Sequence, residues 1–216
     1  TAIFFQRRVR FNECRTIFGV SFDNQNPSHH IIKTLKQYDL NPSICYKDTA
    51  MYEYLKYFQP KSISELINNV SQEEYLPLFV YPWGTFQKNK NSIKKSAKTS
   101  RFCGPSTDSF IKNEFHNTIA LYHKLKKEGY HPWKNFNRHI GGTFLIDCKK
   151  RKSFIVLQGN HRLAILSHIN NTQKISVRNV PNYKRAVYKS DLNNWPLVKN
   201  RKCSQKHAED IFNLFF

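Results

Sequence analysis

The residues best suited to chemistry are Gly159, Asn160, His161 and Arg162, set between apolar runs in "FIVLQGNHRLAIL" (154–166). A strand ending at Gln158 and a helix opening near His161 would aim unpaired backbone N–H groups at one spot. The helix dipole favours an anion there, and Gly159 lets the backbone approach closely. Arg162 offers a two-pronged phosphate contact, and His161 adds a donor or an acid/base group. The plain alternative is a glycine turn with Asn160 as helix cap.

A second candidate stretch is "RFCGPSTDSFIKNEFHN" (101–117). Ser106, Thr107 and Asp108 stand at an expected helix start, where hydroxyls and free N–H groups could meet a nucleotide, with Arg101 as an accessory cation. Glu114, about two turns in, is the preferred general base or Mg²⁺ carboxylate, and Asp108 is second. Asp108 reads equally well as a cap, and Glu114 as a solvated face residue. A two-metal phosphoesterase reading of "GNH" fails, because Arg162 follows the His and no DxH or GDxxD occurs. Zinc is not expected either: there is no HExxH, and His29, His30, His116, His123 and His139 read as structural or surface residues.

Helices and strands must position these groups. The stretch "STDSFIKNEFHNTIALYHKLKKEGY" predicts a capped helix ending at Gly129. "GGTFLID" and "SFIVLQ" predict two strands joined by the basic turn "CKKRK". "HRLAILSHI" predicts a helix, "KISVRNV" a strand, and "QKHAEDIFNLFF" a closing amphipathic helix. Before Tyr75 the pattern alternates short helices with breakers, with Ser28 and Asp48 as expected caps. The expected division is a helical and extended portion (1–86), a basic linker (87–100) and an α+β core (101–216).

The 216 residues include 35 Lys and Arg against 15 Asp and Glu, a formal charge of +20. That balance points to polyanionic partners, and A/T-biased coding also raises Lys. Five scattered cysteines without CxxC suit a reduced, cytoplasmic setting. No apolar run is long enough for a membrane span, and the start does not read as a secretory signal.

The helix ending in "KKEGY", the hairpin "TFLIDCKKRKSFIVLQ", the turn "GNHR" and the strand "KISVRNV" together resemble the ParB/sulfiredoxin-like superfamily. The resemblance covers about 101–188. It implies an α+β fold, a small mixed sheet with packed helices, that holds nucleotide phosphates at the Gly-x-x-Arg turn. Asn160 stands where sulfiredoxins place their catalytic Cys, so sulfinic-acid reduction is not expected. Asn160 and His161 also replace the Glu-Arg of partition proteins, and no helix-turn-helix domain fits after Tyr188. The implied activity is ATP- or other nucleoside-triphosphate-dependent phosphotransfer or hydrolysis on a small-molecule acceptor, with Mg²⁺. The alternatives are a non-enzymatic polyanion binder of DNA or RNA, and an interaction subunit docking through "FVYPWGTF" and "DIFNLFF".

Overall fold

The computed structural model describes residues 6–25, 27–67, 76–84, 102–132, 139–169, 174–181 and 183–216. The expected linker 87–100 and Arg101 lie outside them. The chain is mixed α+β. Strands β1 (Gln6–Val9), β2 (Cys14–Arg15), β3 (Ile140–Ile146), β4 (Lys152–Gln158), β5 (Ile175–Asn179) and β6 (Ala186–Tyr188) form one mixed sheet. Its order is β1-β5-β3-β4-β2, with β6 also paired to β3. The antiparallel β3–β4 hairpin is central, and β5 and β6 run parallel to β3 on its other edge, one after the other.

The first sixteen residues hold a finding absent from the sequence reading. Residues 6–9 pair antiparallel with β5, and 14–15 pair parallel with β4. The sheet of the expected core therefore draws its two edges from the portion read as mainly helical. Neither strand shows an apolar alternation. β1 is "QRRV", in which Arg7 and Arg8 are exposed, and cationic edge strands resist pairing with other chains.

Six α-helices lie among the described residues: α1 (His30–Leu40), α2 (Ala50–Tyr57), α3 (Asp108–Glu128), α4 (Asn160–Ile169), α5 (Pro196–Lys199) and α6 (Gln205–Asn213). The α1 and α2 caps are His29 and Thr49, each one residue after the expected Ser28 and Asp48. For α3 the start and stop signals hold, with Thr107 capping Phe110 N–H and Gly129 at φ +74 ending the helix. Among the described residues after α2, a short 3₁₀ turn forms at Ser64–Leu66.

Side chains alternate across the hairpin, so each face has its own core. Phe144, Phe154 and Val156 pack with α1 to α4, while Leu145 and Ile155 pack with the C-terminal region. That second core is aromatic. Trp83 stacks on Tyr81 at 5.1 Å and meets Trp195, Phe212 and Phe215 edge-on. Tyr81, Trp83, Phe212 and Phe215 are all buried, so these members of the two expected docking patches fill the interior instead.

At the centre of the hairpin, a Cβ on Gly142 would lie 2.0 Å from the Ile155 carbonyl oxygen. Gly142→Ala is expected to destabilise the fold by about 2–3 kcal/mol or more, because the overlap is with backbone on a partner strand. Urea unfolding followed by tryptophan fluorescence measures this, and a change under about 0.5 kcal/mol would contradict the packing.

Candidate functional site

The turn between β4 and α4 is built as the sequence suggests. Gly159 has φ +87, and a Cβ there would sit 3.2–3.4 Å from Ile140 and the His139 carbonyl. Both the left-handed backbone and the close approach favour glycine. The Gly159 carbonyl accepts from Leu163 N–H at 2.9 Å, so Gly159 holds the cap position and Asn160 is the first helical residue. The opening N–H groups of α4 thus lack intrahelical acceptors.

This turn faces a cavity of about 450 Å³. Gly159, Asn160, His161 and Arg162 line it together with Glu114 from α3. Its other walls come from Thr16–Phe18, His29–Ile31, Tyr54 and Phe102. Asn160 Oδ1 is buried with no hydrogen-bond partner among the described residues.

Glu114 and His161 meet directly. His161 Nε2 lies 3.1 Å from Glu114 Oε2, with side chains 40% and 29% exposed, so both are reachable from solvent. A carboxylate on Nε2 fixes the proton there and leaves Nδ1 as the basic atom. Asp108 does not join them. It is six residues before Glu114 on α3, a rotation of about 240° at ~100° per residue, and does not line the cavity. Instead Lys56 Nζ donates to it at 2.7 Å, Lys47 stands at 3.7 Å, and Tyr52 donates at 3.4 Å. The Lys56 hydrogen bond is the main cause holding Asp108 below the ordinary carboxylate range. Of the two carboxylates expected as base or Mg²⁺ ligand, Glu114 lines the cavity beside His161, and Asp108, the second choice, stands apart from it.

Ser106 and Thr107 also lie outside the cavity lining. Thr107 spends its hydroxyl on the α3 cap, and Ser106 is buried with its N–H on the Leu55 carbonyl. The wall expected from them comes from residues that sequence reasoning passed over. His29, read as structural or surface, caps α1 by accepting from Ile31 N–H through Nδ1. A column of rings runs Phe22, His29, His30, Tyr54, Phe58, with successive centroids 4.5, 4.7, 4.0 and 4.7 Å apart. Burial pushes His29 down to about 3 and His30 well below its usual value, with the neighbouring His161 adding to both. The available signal was the His29-His30 pair at a helix start.

The Thr16–Val20 wall is held from behind. Thr16 Oγ1 accepts from Phe18 and Val20 N–H, and Tyr81 donates to the Ile17 carbonyl at 2.7 Å. A Cβ on Gly19 would sit 2.7 Å from Leu214, so the C-terminal segment presses directly on this loop.

Among the described residues no group of three or more His, Cys, Asp or Glu side chains could hold a metal ion. No helix among them is long and apolar enough to cross a membrane. Comparison with family models, with curated proteins and with solved structures found no match to this chain.

The buried histidines make stability pH-dependent with a definite sign. Below about pH 6.5 the unfolded chain takes up a proton at His29 that the folded chain refuses until about 3. Stability is thus expected to fall as pH drops through that window, by up to about 1.4 kcal/mol per pH unit from His29. Urea unfolding at pH 7, 6 and 5 measures the slope. His29→Asn keeps a capping acceptor and should flatten it; an unchanged slope would contradict a neutral, buried His29.

Proposed function

We propose that the cavity binds a nucleotide and that the chain transfers or hydrolyses its terminal phosphoryl group. One observation carries this reading: the Gly159–Arg162 turn and the His161–Glu114 pair line the same cavity. A volume of about 450 Å³ suits a small ligand. The resemblance to the ParB/sulfiredoxin-like superfamily at "GNHR" supports the same assignment.

The N–H groups of α4 and Arg162 hold phosphate oxygens, while Tyr54, Phe102 and the histidine column border the nucleoside. His161 is the base, and Glu114 orients it by holding Nε2. Nδ1 takes the proton from an attacking hydroxyl or water. That oxygen bonds to the terminal phosphorus as the bond to the nucleoside diphosphate breaks. Mg²⁺ accompanying the triphosphate would supply charge neutralisation, and Glu114 is the cavity-wall carboxylate that would hold it.

Thermal unfolding with ATP, ADP, CTP or GTP, each with Mg²⁺, tests this. At a hundred times Kd the binding nucleotide adds about 2.7 kcal/mol of stability. Arg162→Ala is expected to lose the shift while the unliganded protein still unfolds cooperatively. His161→Asn is expected to keep the shift and lower phosphate release or transfer at least ~100-fold. No shift with any of the four nucleotides would overturn the assignment.

A further inference from the structure

A second recess, of about 370 Å³, shares no lining residue with the first cavity. It lies over the end of the sheet, floored by Phe144 and Phe154 and walled by Arg7, Arg8, Lys152 and Glu13. Arg7, Arg8 and Lys152 are exposed, and none takes part in an ion pair among the described residues. The Arg7 guanidinium lies over the Phe144 ring at 5.1 Å, which anchors its stem while its N–H edges stay available. Lys152 arrives on β4, with β5 and β3 between it and β1 in the sheet order, and the exposed Lys149 and Lys150 continue the positive charge around the hairpin turn.

From this geometry we infer that the recess is a seat for the phosphate backbone of a nucleic acid. Three cations on two separate strands, spread around an open hollow, match successive phosphates on a polymer better than one compact anion. A compact anion needs convergent donors, as at the Gly159 turn. The floor decides the mode of reading. Phe144 and Phe154 are 3% and 0% exposed, so neither offers a face for base stacking, and contact falls on the backbone alone. Binding is then indifferent to sequence and steeply dependent on salt. Glu13 is the opposing charge, and its Oε2 is held by Arg10 N–H at 2.8 Å.

Fluorescence anisotropy with labelled 20-nucleotide single-stranded DNA, the matching RNA and the DNA duplex tests the recess across a salt series. Arg7→Glu/Arg8→Glu/Lys152→Glu should weaken binding at least tenfold. It should also lower the duplex salt slope by about the ~0.9 expected per lost phosphate contact, for two or three contacts. Glu13→Gln should tighten binding, since the amide oxygen can still accept from Arg10. Arg8→Gln/Lys152→Gln leaves the Arg7–Phe144 contact in place and should weaken binding severalfold, even if the triple variant folds poorly. Lys33→Glu/Lys112→Glu/Lys202→Glu changes net charge equally with dispersed sites and should cost less than threefold. Equal loss in that control would show that binding follows net charge alone and overturn the recess. So would wild-type protein that binds none of the three probes, or recess variants that bind as wild type. None of the three recess variants should alter a nucleotide-induced thermal shift at the Gly159 cavity.

Discussion

Everything in this fold rests on burying both faces of one hairpin. β3 and β4 are joined by an ordinary antiparallel ladder, but their alternating side chains enter two unlike cores. One face requires the four helices α1 to α4, and the other requires the aromatic C-terminal region. Neither face could be left to water without exposing several large apolar side chains at once. The candidate site exists because β4 ends at Gln158, and the chain must reverse into α4 directly against Ile140. The left-handed Gly159 is the price of that reversal, and it leaves the α4 N-terminus open to the cavity.

The hairpin, the long helix, the α4 turn and the closing helix were all legible, because each carries local signals. Apolar periodicity, Thr107 and Gly129 as caps, and the basic turn between strands agree with one another. The edge strands were not legible. Their four and two residues acquire extended structure only from partners about 140 to 170 positions away, at β4 and β5. Local sequence holds no trace of such pairing.

The same distinction separates the site residues. The Gly159–Arg162 turn is contiguous, so its convergence could be read directly. Glu114 was singled out by helical position, but its partner depended on how α3 crosses α4. Asp108 looked equivalent in type, and only the arrival of Lys56 and Lys47 from α2 and the segment before it removes it. His29 and His30 were the larger omission. They read as structural or surface histidines, and their place in a cavity wall depends on the ring column from Phe22 to Phe58, which draws on three separated segments.

Thr16, Ile17 and Phe18 of the loop 16–20 line the first cavity, yet the loop's hydrogen bond to Tyr81 and its contact with Leu214 belong to the opposite core. Moving that wall would mean disturbing residues on the far side of the sheet. A ligand therefore meets a wall already set in place by folding. Little of a ligand's binding free energy would go into ordering that side, and more would remain as affinity.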